Sequence, residues 1–337
     1  MTDLPTQARV VIIGGGVVGC SVAYHLTKLG WQDVVLLERK QLTSGTTWHA
    51  AGLIGQLRAS ANMTRLARYS AELYTGLEAE TGVATGFRQV GSVSVALTGE
   101  RLEELKRNAA MARAFGVPVE EMSPSEIKLR YPHLNLDGVT GGVWLPTDGQ
   151  ADPANIALAL AKGARNRGAR VQERVKVTGI ARAGRRVTGV DWQGEDGSAG
   201  HIACEMIVNC AGMWGHEVGR MAGTNVPLHA CEHFYIVSEP IAGLTQLPVL
   251  RVPDECAYYK EDAGKIMLGA FEPVSKPWGM NGIPESFEFD QLPEDFDHFE
   301  PILEAAVNRM PMLAEAGIHT FFNGPESFTP DDAYHLG

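Results

Sequence analysis

An α/β architecture with a second, α+β lobe is predicted by three features of the 337-residue sequence. Residues 9–13 are a short β-branched run that passes through glycines into an apolar helical pattern over 17–29. Residues 33–38 are a second strand, apolar until its acidic end. Later segments, at 226–238, 257–260 and 265–270, alternate in the manner of a separate, antiparallel sheet. A buried parallel strand followed by a helix and another strand is βαβ grammar, whereas period-two alternation marks half-buried strands.

Between these landmarks the remaining elements follow from period and punctuation. Residues 62–80 carry Leu66, Tyr69, Leu73 and Leu77 at helical spacing, which predicts one apolar face. Residues 91–97 alternate as a half-exposed strand, and 100–115 read as a helix. A helix over 123–131 is signalled by Ser123-Pro124 as N-cap and first residue, and Asp152-Pro153 opens another over 154–167. Short strands are expected at 170–172, 175–180, 187–192 and 205–210, then a late helix at 301–309 and a strand at 318–322. No repeat or long linker separates the lobes, so they are expected to interleave. One lobe takes 8–85, 146–225 and 317–337; the other takes 86–145 and 226–316.

Bulk composition bounds the chemistry. Hydrophobic residues make up 45% of the chain and charged residues 20%, enough for a sizeable core without staples. Acidic residues outnumber basic ones by 40 to 29, and a surface of net charge −11 repels phosphate backbones, so nucleic acid is an unexpected partner. The five cysteines form no CxxC pair, and the histidines and cysteines lack metal-ligand spacing. The apolar stretch 10–20 is too short and too glycine-rich to span a bilayer, and the residues before it make a poor signal peptide. A cytoplasmic protein without a membrane partner or a metal is the resulting expectation.

The strongest motif is Gly14-Gly15-Gly16-Val17-Val18-Gly19, which satisfies G-x-G-x-x-G between the first strand and helix. Gly14 permits the tight turn, Gly16 lets backbone approach a pyrophosphate, and Gly19 lets the helix pack close to the sheet. The helix N-terminus offers free N–H groups to phosphate. Glu38 lies nineteen residues after Gly19, at the end of the second strand, where its carboxylate can accept from ribose hydroxyls. This Rossmann grammar alone does not separate FAD from NAD. The following loop does: Ser44-Gly45-Thr46-Thr47-Trp48-His49-Ala50-Ala51-Gly52-Leu53 is small and polar, suited to line a second stretch of a longer dinucleotide.

Here the sequence resembles the dimethylglycine and sarcosine dehydrogenases, within the D-amino-acid-oxidase-like flavoproteins. The resemblance is carried by residues 11–19, Glu38-Arg39, residues 44–53, Thr147-Asp148-Gly149, Asn209-Cys210-Ala211-Gly212-Met213-Trp214 and residues 323–331. It implies a glutathione-reductase-type FAD-binding domain interleaved with a substrate domain. It also implies oxidative N-demethylation of a small N-methylated amino acid, with the flavin bonded covalently to His49. Val17 and Val18 would sit by the pyrophosphate, Val177 by the adenine, and Trp214 by the flavin or its ribityl chain, with Ala211 and Gly212 beside it. Read without the resemblance, Val177 is strand core, Trp214 a buried aromatic and His49 a loop hydrogen-bonder.

For the chemistry itself the resemblance implies a histidine and a tyrosine over the flavin that tune the ionisation of the amine, at His233 and Tyr258. A strand alternates faces, so Tyr258 and Tyr259 cannot both enter one pocket, and the resemblance selects Tyr258. The structural alternative makes His233 a satisfied strand histidine and the tyrosines ordinary strand formers. Arg58 or Arg251 could hold a substrate carboxylate through a bidentate fork; a solvated surface arginine is the plain alternative. The family pattern further implies, beyond residue 337, a strand and helix that close the FAD domain and often a folate-binding domain, so folate is expected only through such a domain. The acceptor stays open between oxygen and an electron-transfer flavoprotein. An NAD-linked dehydrogenase, and a non-catalytic relative such as the regulatory subunit of pyruvate dehydrogenase phosphatase, are the two rival readings.

Overall fold

A computed structural model describes residues 4–331 and 334. Two sheets organise them. In the first, six strands lie in the order Arg170–Gln172, Val34–Leu37, Gln7–Ile13, Ala199–Asn209, Arg186–Gly194, Val175–Ala183. The first four pair in parallel, and the last two join antiparallel. Val34–Leu37 is buried at every position, as a parallel strand covered on both faces must be. Helix Val17–Lys28 packs Cys20, Ala23 and Tyr24 against one face together with helix Pro153–Asn166, in a core that also holds Ile12, Leu36 and Leu160. Asp152 caps that second helix, its carboxylate accepting from the N–H of Asn155 at 3.0 Å, with Pro153 in the first turn as expected.

The second sheet has nine strands. Its path runs Pro277–Trp278, His229–Ser238, Lys265–Ala270, Ala257–Asp262, Val249–Val252, Ser92–Ala96, Gly141–Leu145, Glu120–Met122. Strand Ile318–Phe328 pairs along the other side of His229–Ser238. The expected antiparallel sheet is found with one exception, the parallel pair Val249–Val252 and Ser92–Ala96. Behind it lies a core of Phe234, Leu250, Tyr259, Leu268, Phe299 and Phe321, closed by helix Phe296–Arg309.

Three sequence expectations change. Residues 317–337 were assigned to the dinucleotide lobe, yet Ile318–Phe328 makes its ladder in the nine-stranded sheet, and Phe321 buries in that sheet's core. Helix Ala61–Thr81 buries Thr64, Ala71, Leu77 and Thr81, while Leu66 and Tyr69 are exposed and Leu73 is half-buried, so the buried stripe is offset from the one the spacing predicts. Strand Ser92–Ala96, whose alternation predicts a half-exposed strand, is buried at all five positions, because Val93 and Val95 enter the core and Ser92 and Ser94 face the cavity wall instead of solvent. Among the described residues no helix is long and apolar enough to cross a membrane.

Candidate active site

The glycine loop is shaped by steric contact. Gly14 has φ +112°, and a β-carbon there would lie 2.3 Å from the carbonyl oxygen of Cys210. Only glycine fits such a position. Gly16 differs: its backbone is extended, and a β-carbon would meet only Thr47 Oγ1, at 3.1 Å. Space is therefore left open at the start of helix Val17–Lys28. Val18 stands 61% exposed there, and the N–H of Val17 donates to Thr47 Oγ1 at 3.0 Å. The Glu38 carboxylate is buried and ties the loop to the second strand. It accepts from the N–H of Gly15 at 2.6 Å and of Lys40 at 2.8 Å. Burial raises its pKa against the pull of those two donors.

The loop 44–53 folds back over this opening. Ser44 and Thr47 are buried, and Thr47–His49 forms one turn of 3₁₀ helix. Thr46 Oγ1 donates to the carbonyl of Pro325 at 3.2 Å, and Leu53 pairs with Gln150 in a two-stranded ladder. Arg39 stacks over Trp214 at 4.6 Å, and Trp214 also faces Gly45, 3.4 Å from where a β-carbon would stand. Val177 lies buried on the strand whose first N–H donates to the Glu38 carbonyl. Ala211 and Gly212 lead into the turn that carries Trp214.

His49 is 8% exposed, and its Nε2 is buried without a hydrogen-bond partner; Trp48 Nε1 is in the same condition. Buried polar atoms are rarely left so. Burial pushes the His49 imidazole down to about 4, assisted by the charge of His233, so the ring is neutral at pH 7. The ring lies on Gly324, where a β-carbon would stand 2.5 Å from Cε1. Gly324 is the register partner of His233, and paired residues share a face. His49 and His233 are thereby brought together although 184 positions separate them in sequence.

A row of register partners continues across the sheet: Phe322, Tyr235, Gly269, Tyr258, Arg251, Ser94. Tyr258 extends over Gly269, where a β-carbon would collide with its ring. Tyr259 points the other way into the core. Of the two tyrosines, Tyr258 is the one that lines the cavity. His49, Arg58, His233, Arg251 and Tyr258 all line one cavity of about 590 Å³, closed on another side by residues 50–55. His233 Nδ1 lies 3.1 Å from the buried Glu272 Oε2, and Nε2 lies 3.7 Å from Glu326, which lines the cavity. Burial disfavours the imidazolium, but the hydrogen bond and charge of Glu272, with Glu326 behind them, raise its pKa above the usual histidine value. Burial raises the Tyr258 phenol far above its usual range.

Arg251 is not the solvated arginine of the plain alternative. Burial, then the charge of Arg58, lowers its pKa, and Asp148 offsets part of that. Asp148 is itself committed elsewhere, accepting from Ser92 Oγ at 2.6 Å and from the N–H of Gln56 at 2.9 Å. The residues that sequence reasoning missed are Tyr235, Phe271, Glu272 and Glu326. Period two from His233 would have offered Tyr235. No local signal marks Glu272, which follows its strand and acts across to another.

The chain is 42% identical to human mitochondrial sarcosine dehydrogenase over 340 aligned residues, covering 99% of this chain and 36% of that protein. It is 41% identical to the mouse mitochondrial pyruvate dehydrogenase phosphatase regulatory subunit, covering 97% and 37%. The chain therefore spans a little over a third of these curated relatives. Among solved structures, L-proline dehydrogenase from P. horikoshii superposes with a TM-score of 0.86 at 27% identity, covering 99% of this chain and 85% of that one. The family model described as "FAD dependent oxidoreductase" matches residues 9–337, a span that takes in both sheets and the cavity between loop and strand, and the chain belongs to that family.

Proposed function

We propose that this chain is the flavin-binding and substrate-oxidising portion of an enzyme that N-demethylates a small N-methylated amino acid. The observation that carries the reading is the convergence of His49, His233, Tyr258 and Arg251 on one cavity. The residues present fit FAD. The open approach at Gly16 and the exposed start of the first helix suit a pyrophosphate, and Glu38 keeps acceptor sites beyond its two N–H partners for a ribose. The orphaned Nε2 of a neutral His49 suits a bond to a flavin methyl. Trp214, Arg39, Val177 and residues 44–53 would line the rest.

When bound, the flavin supplies the hydride acceptor. The protein's part is orientation and ionisation. Arg251, with Arg58 behind it, would hold the substrate carboxylate, fixing which C–H faces the cofactor. An imidazolium at His233 beside the amine makes a second positive charge there costly, so the amine binds with its lone pair free. Tyr258, two strands from His233, would complete the amine site from the carboxylate side. The product iminium would hydrolyse to formaldehyde and the demethylated amino acid.

The test is anaerobic titration of the flavin-loaded protein with a panel of N-methylated amino acids. Bleaching of the flavin absorbance by sarcosine, dimethylglycine or a longer homologue is expected. A flavin that none of them reduces would overturn the enzymatic reading and favour an interaction role, as the 41% identity to a regulatory subunit would then suggest.

A further inference from the structure

Glu272 stands just beyond strand Lys265–Ala270, and its side chain is only 4% exposed. A carboxylate that deep is costly to bury unless it is well partnered. Both oxygens are engaged with one neighbouring strand: Oε1 accepts from the N–H of Phe234 at 3.2 Å, and Oε2 lies 3.1 Å from His233 Nδ1. The fold has thus placed an acid against the histidine that is not itself among the residues lining the cavity.

We propose that Glu272 is a positioning residue for the amine site, its buried carboxylate holding the His233 ring with Nδ1–H as donor and so presenting Nε2 to the cavity. The bond to the Phe234 amide fixes the carboxylate, and the carboxylate fixes the ring. Phe271, the preceding residue, packs against both His233 and Tyr258 with ring centroids 5.6 Å away in each case. One short segment therefore orients both members of the proposed pair.

The groups that face His233 come from four other elements. Glu272 lies behind it, Glu326 reaches toward Nε2 from strand Ile318–Phe328, His49 sits over Gly324, and Tyr258 comes from strand Ala257–Asp262; Tyr235 is on its own strand. The two acids differ in kind. The Glu326 side chain is 44% exposed and 3.7 Å away, so solvent screens it and substrate can displace it. Glu272 is neither exposed nor displaceable, and it is the partner that persists when the cavity fills. A fixed acid keeps the ring cationic in the presence of substrate, and that cation disfavours the ammonium form of the amine. This last step rests on the functional reading above; the positioning itself does not.

The experiment is a pH titration of the ¹⁵N-histidine resonances of the flavin-loaded protein, with Glu272→Gln and Glu272→Asp beside the parent. The expected parent result is a His233 ring protonated at Nδ1 at pH 7 and titrating above the ordinary histidine range. Glu272→Gln should lower that midpoint by about one pH unit or more, and Glu272→Asp should retain most of it. The acid limb of flavin reduction by an accepted N-methylated amino acid should shift with it. A folded, flavin-loaded Glu272→Gln protein whose His233 titration is unmoved overturns the proposal. If that variant does not fold, the parent alone decides, since an Nδ1 without a proton at pH 7 is equally fatal. Should no N-methylated amine reduce the flavin, the NMR titration still tests the positioning and only the functional reading falls.

Discussion

The imidazole of His49 rests on the backbone of Gly324, a residue that has no side chain to compete for the space. The contact joins a loop of the dinucleotide-binding half to the strand that pairs with His233, and it sets where the ring stands relative to the cavity. A methyl group at 324 would have to occupy a point 2.5 Å from Cε1. Gly324→Ala is therefore expected to displace His49 and to sharply reduce flavin retained after acid precipitation, while dissociable flavin still binds at Gly14–Gly19. Retention equal to the parent's would show that the ring adapts and that its seat on Gly324 is dispensable.

Gly16→Val separates cofactor binding from folding. The backbone there is already in a region open to any residue, and the one near neighbour is a threonine hydroxyl. The variant should keep its far-UV circular dichroism and lose FAD, because the branched side chain fills the approach to the pyrophosphate. Undiminished flavin content in the purified variant would remove this loop from the cofactor site.

Covalent attachment rests on His49, and intact mass spectrometry decides it. A parent protein refolded with FAD should carry the mass of the flavin, and His49→Ala should not, while still binding FAD reversibly. A parent lacking the added mass leaves a non-covalent FAD site.

The same residue makes the flavin-free protein acid-sensitive. Its folded-state pKa of about 4 lies below the 6.5 of an exposed histidine, so the unfolded chain binds the extra proton between those values. The stability held by a neutral buried His49 is then fully present above pH 6.5 and lost as pH falls toward 4. The size is on the order of 3 kcal/mol. Urea unfolding at pH 7.5 and pH 4.5 should show a larger acid loss for the parent than for His49→Gln. His233 contributes with the opposite sign, since its pKa is raised, and the comparison between the two proteins cancels it. Equal losses would mean that the ring is not desolvated.

The paired tyrosines and Arg251 give opposite outcomes for core and cavity. Tyr259 buries a hydroxyl without a partner, so Tyr259→Phe should leave flavin reduction unchanged and be neutral or stabilising by up to about 2 kcal/mol. Tyr258→Phe should slow flavin reduction with little effect on the unfolding midpoint. Arg251→Met should raise KM for a carboxylated N-methyl substrate by about 10- to 100-fold and spare an N-methyl amine that lacks a carboxylate. An identical effect on both substrates would place Arg251 outside the carboxylate site.

Much of this was legible in the chain. The first strand, the glycine turn, the helix and the acidic end of the second strand announce themselves, because each is set by neighbours within about thirty residues. Cap signals at Ser123 and Asp152 placed two helix starts correctly. The fully buried strand Gly141–Leu145 was silent, since with both faces covered its sequence carries no period-two alternation, and the alternating Ser92–Ala96 is as fully buried, so alternation did not report exposure.

By itself the sequence determined the kind of cofactor cradle, the family resemblance and the residue types able to do the chemistry. Only the tertiary structure decided which of them meet. Arg58 and Arg251 looked equally like surface arginines until strand register set Arg251 beside Tyr258. Glu272 carried no mark at all until the chain turned it under His233. The late strand Ile318–Phe328, expected in the dinucleotide lobe, joins the other sheet because strand pairing is non-local: its partner, His229–Ser238, lies some eighty residues earlier, and nothing in either segment names the other.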